Sequence, residues 1–93
     1  ARCAFCSISH PKILHAAHIK PKNYNGSDDW RNGIVLCHNH HAAFDANLII
    51  IKPDDDLNVD IKSDNLKVEF NKVSLLKNTP HIDAINWRYK NLK

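Results

Sequence analysis

The chain has 93 residues, of which 43% are hydrophobic and 25% charged, and a net charge of +3 at pH 7. This length allows one domain with one modest core and excludes a second domain of ordinary size. No apolar run approaches the ~18 residues that span a bilayer, and no signal segment opens the chain. We therefore expect a soluble, cytoplasmic protein with no membrane partner. The basic excess is compatible with a polyanionic partner but does not establish one.

The first half of the chain predicts a short hairpin followed by a helix. Residues 1–12 contain a Cys-x-x-Cys turn that runs into a loop. Residues 13–19 lie near two prolines and have the length of a strand, whereas residues 20–33 contain Asn-Gly twice and predict a loop. Residues 34–36 form a short buried strand. Residues 38–47 predict a short helix that ends at its last residue, an asparagine.

The second half predicts strands and one helix. Residues 48–51, 58–61 and 66–70 are rich in β-branched and other apolar residues and are separated by polar turns, so three strands are expected. Residues 81–92 predict a final helix, which follows a Thr-Pro pair that is expected to cap it.

Three cysteines and one histidine have the spacing of zinc ligands. Cys3 and Cys6 form one short chelating pair, and Cys37 and His40 form another, with thirty residues between the pairs. Two such turns supply four tetrahedral ligands to Zn²⁺ and leave no open position, so the ion would be structural. The alternative is three buried thiols and a surface histidine. A redox role for the first pair is disfavoured because the thioredoxin-like βαβ context is absent.

Three motifs follow one another in the first half of the chain. They read Ala-Ala-His-Ile-Lys-Pro at 16–21, Asn-Gly-Ile-Val-Leu-Cys at 32–37 and His-His-Ala-Ala-Phe-Asp at 40–45. This order closely resembles the HNH (ββα-metal) endonuclease family. In particular, it looks like the subgroup with Ala-Ala-His-Ile, Asn-Gly and His-His-x-x-Phe-Asp that occurs in restriction-type nucleases. The resemblance covers residues 3 to about 51.

The resemblance assigns roles to positions in these motifs. His18 matches the general base, because a neutral imidazole can take a proton from water near pH 7. Asn32 matches the residue that pins the loop between the strands and orients that base. His41 matches the helix-borne ligand of a catalytic divalent ion such as Mg²⁺ or Mn²⁺. Asp45 lies four residues later on the same helical face and could complete the ligand set.

The chain departs from many relatives immediately before the base. Those relatives carry Asp or His there as a further metal ligand, whereas this chain has Ala17. His15 lies on the same side of the strand and could substitute as a ligand of the catalytic ion. The alternative is a histidine that faces solvent or packs in the hairpin. Three other histidines, His10, His38 and His81, are predicted to be ordinary exposed residues.

Basic residues near this centre in the sequence could hold DNA phosphates. Lys20, Lys22 and Arg31 are the candidate contacts. Ordinary solvated charges are an equally good interpretation of all three.

Together these observations predict an α+β fold. A zinc-bound ββα-metal core of about residues 1–51 is followed by a small strand-rich extension and a C-terminal helix within about residues 52–93. We expect a single domain, which could be a fragment of a longer protein because the sequence contains no Met.

The function that the resemblance implies is metal-dependent hydrolysis of DNA phosphodiester bonds, of the restriction type. A homodimer could cut both strands. The alternative is a catalytically inactive, zinc-stabilised nucleic-acid-binding module, and Ala17 keeps that alternative open.

Overall fold

The computed structural model describes residues 1–92. Its strands are Leu14–His18 (β1), Gly33–Cys37 (β2), Ile49–Ile51 (β3) and Val59–Ile61 (β4), and its helices are His38–Asp45 (α1) and Ile82–Leu92 (α2). Short 3-10 helices lie in the connections at Pro11–Ile13, Lys22–Tyr24, Trp30–Asn32 and Val73–Leu75. Neither helix in this part of the chain is long and apolar enough to cross a membrane.

The strands β1 and β2 form an antiparallel hairpin, in which Leu14 lies opposite Cys37 and His18 opposite Gly33. Alternate side chains of a strand point to opposite faces, and Ala17 of β1 shares the buried face of the hairpin with Ile34 and Leu36 of β2. Because α1 begins directly after β2 and packs on both strands, the three elements form a ββα unit. The predicted hairpin and helix are confirmed.

Helix α1 ends at Asp45, two residues before the asparagine at which the sequence predicted its end. Asn47 adopts the left-handed conformation with φ of 60°. Its amide donates to the Phe44 carbonyl over 3.0 Å, and the Leu48 amide donates to the Ala43 carbonyl over 2.9 Å. This pair of bonds is the Schellman arrangement, which satisfies the last carbonyls of a helix and turns the chain into β3.

The remainder of the chain packs onto the same hydrophobic core. Strands β3 and β4 pair antiparallel, with Ile49 opposite Ile61. Core residues from both halves form one cluster, in which Leu57, Val73 and Ile85 join the buried side chains of the first half. The predicted α+β class is confirmed.

The strand predicted at residues 66–70 is wrong, since the structure assigns no strand there. The Glu69 amide donates to the Phe5 carbonyl over 2.8 Å, and the Lys67 carbonyl contacts Nε2 of His40 at 2.9 Å. The segment thus crosses the cysteine-containing turn instead of pairing with β4. Its sequence suits a half-buried extended chain, but tertiary contacts decide which partner supplies the hydrogen bonds.

The amino end of α2 differs slightly from the prediction. The Asp83 amide donates to Nδ1 of His81 over 3.1 Å, so His81 caps the first turn in place of the Thr-Pro pair. An imidazole nitrogen can accept this bond as a carboxylate would, although histidine is not among the usual capping residues.

A buried arginine attaches α2 to the ββα unit. Arg88 is 9% exposed and donates to the Ile19 carbonyl over 2.9 Å and to the Phe44 carbonyl over 2.7 Å. It also contacts Asn47 Oδ1 at 3.2 Å, and its guanidinium lies 3.9 Å from the centre of the Phe44 ring. Burial lowers the pKa of Arg88. The C-terminal helix therefore ties the end of β1 to the end of α1.

Candidate active site and metal centres

Four predicted zinc ligands meet in the interior. Cys3 and Cys6 lie in the N-terminal turn, Cys37 ends β2, and His40 lies in the first turn of α1. All four are buried, and their ligand atoms lie within 4.8 Å of one another. Because the thiols are unpaired and converge with one imidazole, this cluster could hold a metal ion.

The distances in this cluster fit tetrahedral zinc. Nδ1 of His40 lies 3.4 Å from Sγ of Cys3 and 3.3 Å from Sγ of Cys37, and the Sγ atoms of Cys6 and Cys37 are 3.9 Å apart. Bonds of about 2.3 Å to sulfur and about 2.0 Å to nitrogen place tetrahedral neighbours roughly 3.5 to 3.8 Å apart. Four protein ligands close the coordination sphere, so an ion here would be structural.

Two further features bear on how this cluster would bind a cation. Nε2 of His40 donates its hydrogen to the Lys67 carbonyl over 2.9 Å, which leaves the lone pair of Nδ1 directed at the thiols. Burial raises the pKa of the Cys6 thiol to about 12 in the metal-free chain. A bound zinc ion supplies the positive charge that allows such thiols to ionise.

A second cluster lies between β1 and α1. Nδ1 of His15 is 2.8 Å from Nδ1 of His41, and Nε2 of His15 is 3.0 Å from Nε2 of His38. On the other edge of its ring, His41 Nε2 lies 3.2 Å from Asp45 Oδ2. We call His15, His38, His41 and Asp45 the open histidine cluster, because the side chains of His41 and Asp45 are 28% and 62% exposed.

One histidine of this cluster has a lowered pKa. Partial burial, followed by the positive charges that His38 and His41 can carry, lowers the pKa of His15. His15 is therefore neutral at pH 7. A neutral imidazole is the form that ligates a divalent ion.

The candidate base lies apart from this cluster. Nε2 of His18 is 2.9 Å from Asp28 Oδ1, and the other Asp28 oxygen is 3.0 Å from Nζ of Lys22. The hydrogen bond to His18, followed by the one to Lys22, lowers the pKa of Asp28. Within residues 1–92 the structure gives no contact between His18 and His41. It brings His15 and Asp45 to His41, but it does not bring the base there.

Asn32 joins the two sides of the loop that follows β1. Its side chain is buried, accepts from the Lys20 amide over 2.9 Å, and donates to the Lys20 carbonyl over 3.0 Å and the Ser27 carbonyl over 2.7 Å. The Asn32 carbonyl also accepts from the Ile19 amide, immediately after His18. These bonds fix the backbone on which the candidate base stands.

Each of the three candidate phosphate contacts has a partner within the chain. Lys22 pairs with Asp28, and Lys20 Nζ lies 5.1 Å from the centre of the Trp87 ring. Arg31 binds Asp29, and its hydrogen bonds lower the pKa of that carboxyl to about 2. The Lys22 and Arg31 side chains are 71% and 55% exposed, so a phosphate could compete for them.

The sequence interpretation missed three residues around these sites. His38 was expected to be an ordinary exposed histidine, yet it contacts His15. A signal for it exists, because His38 is three residues before His41 on the same helix, and residues so spaced share a face. Asp28 and Arg88 had no such signal. Only the tertiary fold brings Asp28 to His18 and Arg88 to the Ile19 carbonyl.

The antiparallel hairpin, the following helix and the four-ligand cluster define a zinc-binding ββα core. The family model for HNH endonucleases matches residues 3–52, which is more than half of the chain. The chain therefore belongs to the HNH endonuclease family. No curated protein matches it. The matched range includes both clusters, whereas α2 and its buried arginine lie beyond it.

Proposed function

We propose that this chain is a metal-dependent DNA endonuclease that hydrolyses phosphodiester bonds, with His18 as its general base. The observation that carries the proposal is the open histidine cluster, which lies where β1 meets α1 in a chain of the HNH family. A buried four-ligand cluster, one ligand of which lies on the same helix, would supply the support that a thin core needs.

His41, His15 and Asp45 are the predicted ligands of the catalytic ion. His15 and Asp45 contact opposite nitrogens of the His41 ring, Nδ1 and Nε2, so one ion would be held by His41 together with one of these two residues. Their nitrogen and oxygen donors suit divalent ions such as Mn²⁺ or Mg²⁺, and their exposure leaves room for a phosphate. When bound, the ion neutralises negative charge on the scissile phosphate and on the departing oxygen.

His18 would take a proton from the attacking water. The Asp28 carboxylate can only accept a hydrogen bond, so Nε2 of a neutral His18 carries the hydrogen and Nδ1 carries the lone pair. As the water oxygen bonds to phosphorus, its proton passes to His18 and the bond from phosphorus to the leaving oxygen breaks. Asp28 orients the imidazole, and Asn32 holds its backbone.

The choice of DNA as substrate rests on the family and on charge. Lys20, Lys22 and Arg31 flank the base in the loop after β1 and would exchange their present partners for backbone phosphates. Such contacts position the duplex and carry no sequence information.

The proposal also covers the subgroup of the nuclease, its oligomeric state, its cellular location and the extent of the domain. The motif at 16–21 supports the restriction-type subgroup, and a homodimer would let two copies cut both strands. Three free cysteines fit the reducing cytoplasm. Residues 1–93 would act as one nuclease domain.

Ala17 favours a second function. The position holds a buried methyl group, 2% exposed, where many relatives hold a metal ligand. If His15 does not replace that ligand, the domain binds nucleic acid without cutting it.

A plasmid-cleavage assay separates the two functions. The zinc-loaded protein is tested with Mg²⁺, with Mn²⁺ and without added ion, and its zinc content is measured before and after. We expect nicked or linear plasmid only when an ion is added. Retained DNA binding with no cleavage under any ion, at full zinc content, would instead establish the binding module.

A further inference from the structure

A cleft lies between the loop that follows β1 and the first half of α2. Its volume is about 450 Å³, which is within the range of small-ligand sites in proteins. Its walls come from the loop between Lys20 and Asn32 and from the segment between His81 and Trp87. The His81 amide donates to the Arg31 carbonyl over 2.8 Å, so a backbone hydrogen bond joins the two walls.

The cleft adjoins the candidate base. Two of its lining residues, Ser27 and Asp29, are the sequence neighbours of Asp28, whose carboxylate contacts Nε2 of His18 at 2.9 Å. Lys20, two residues after His18, also lines the cleft. A ligand bound there would therefore lie beside the residue that is proposed to activate water.

One wall of the cleft is an indole ring. Trp87 is only partly buried, and the centre of its ring lies 5.2 Å from that of Tyr24 and 5.1 Å from Nζ of Lys20. Proteins that hold unpaired nucleotides combine these two elements, an aromatic face on which a base stacks and a cation that binds the backbone phosphate. This wall therefore suits a planar, aromatic ligand that carries negative charge.

The opposite wall offers hydrogen bonds. Asn25 and Ser27 each carry donors and acceptors, as the edges of nucleobases do. The Asp29 carboxylate also lines the cleft, but the Arg31 guanidinium donates to both of its oxygens, over 3.0 and 3.1 Å, and offsets its charge. A nucleotide has the planar ring, the polar edge and the phosphate that these two walls can bind.

A base inside a double helix cannot reach this indole. Neighbouring base pairs cover both of its faces, so a face becomes free only when the nucleotide is unpaired or turned out of the stack. The cleft therefore selects a nucleotide that has left the stack or lies in a single strand.

We propose that this cleft binds one unstacked nucleotide of the DNA substrate, with its base on the Trp87 ring and its phosphate at Lys20 and Arg31. The inference rests on the proposed function, because it takes the substrate to be DNA. The HNH family model matches residues 3–52, so membership of the family does not assign the Trp87 wall.

Tryptophan fluorescence tests the stacking contact. The chain has two tryptophans, and Trp30 does not line the cleft, so Trp87 is the single indole in Trp30→Phe. The zinc-loaded variant is titrated, without added divalent ion, with a short single-stranded oligothymidylate and with an abasic oligomer of the same length. We expect the oligothymidylate to quench the emission and the abasic oligomer, which has the same phosphates, to leave it nearly unchanged. Equal responses to the two oligomers would overturn the proposal.

Binding by Trp87 variants measures what the ring contributes. Trp87→Leu keeps an apolar side chain without an aromatic face and should bind oligothymidylate roughly 10- to 100-fold more weakly, the range that base–aromatic stacking supplies. Its affinity for the abasic oligomer should equal that of the wild type. Trp87→Phe keeps a ring and should retain most of the affinity for oligothymidylate. Trp30→Leu, the same change outside the cleft, is the matched control.

The variants also distinguish stacking from packing of α2. Zinc content and thermal melting are measured on each of them. Equal losses of oligothymidylate binding in Trp87→Leu and Trp87→Phe would show that the side chain only packs, and would contradict the proposal. The fluorescence comparison leaves the cleft unaltered, so it decides the question even if Trp87→Leu does not fold.

These results separate the inference from the proposed function. If the wild type cleaves plasmid DNA while Trp87→Leu binds oligothymidylate as tightly as the wild type, only the assignment of the cleft fails. If quenching depends on the bases but no ion supports cleavage, the cleft stands and the proposed catalysis fails. If the protein binds no DNA of either form, both fail.

Discussion

Two neighbouring histidines on α1 belong to sites of opposite character. His40 is 5% exposed and directs Nδ1 at the buried thiols, whereas His41, one residue later, has a side chain that is 28% exposed and faces His15. Successive residues of a helix are about 100° apart around its axis, so adjacent side chains point to different surroundings. One helix thus supports a closed site and an open one.

The two sites differ in their ligand atoms and in their burial. This difference assigns a structural role to the first site and a catalytic role to the second in the proposed function. With zinc bound, three thiolates and one imidazole would fill a tetrahedral sphere and exclude substrate. In the proposed function, the open histidine cluster would offer its donors to an ion that keeps positions for water and phosphate. Removing a ligand should therefore unfold the protein in the first case and only inactivate it in the second.

The largest expected effect is on the closed site. Cys37→Ser removes one zinc ligand, and such a site contributes roughly 10 kcal/mol or more of apparent binding free energy to folding. We expect the variant to lose zinc and to unfold or aggregate. Zinc analysis together with circular dichroism measures both. A soluble, folded and metal-free Cys37→Ser protein would show that the core does not depend on the ion.

The next effect compares the two adjacent histidines directly. His41→Ala should abolish cleavage while zinc content and thermal melting stay close to wild type, because it removes only a proposed ligand of the catalytic ion. His40→Ala should lose zinc and melt at a much lower temperature. Zinc analysis, melting curves and plasmid cleavage are measured on both variants. Loss of zinc in His41→Ala would mean that the two roles are exchanged.

A smaller effect concerns the attachment of α2. Arg88→Met keeps the apolar stem but removes the donor of the Ile19 carbonyl, whereas the Phe44 carbonyl keeps its bond from the Asn47 amide. A buried group left unpaired costs about 1 to 3 kcal/mol. We expect less stability at unchanged zinc content, measured by urea unfolding. Lys90→Met, an exposed change on the same helix, is the control. Equal stabilities of the two variants would contradict the bracing role of Arg88.

The zinc ligands and the hairpin were predictable because their signals are local. Paired Cys and His residues three apart chelate one ion wherever the chain brings the pairs together, and an asparagine that accepts the left-handed conformation marks the end of α1. Neither inference needs knowledge of distant residues.

The remaining features depend on which segments meet in space. The pattern at residues 66–70 predicts a strand, but the Phe5 carbonyl and His40 provide the hydrogen-bond partners of this segment. Arg88 lies in a predicted helix, and only the packing of α2 shows its buried bonds to the Ile19 and Phe44 carbonyls. His38 lies between these cases, since its spacing from His41 is local but its contact with His15 is not.

The central claim is that His18 takes the proton from water. His18→Ala should cleave at least ~100-fold more slowly than wild type, the low end of what general-base catalysis contributes. Its DNA affinity should stay unchanged, since the phosphate contacts of Lys20, Lys22 and Arg31 remain. The measurement is single-turnover cleavage beside equilibrium DNA binding, with His10→Ala as control. Slow cleavage with intact binding is the predicted result, and near-full cleavage by His18→Ala would contradict the account.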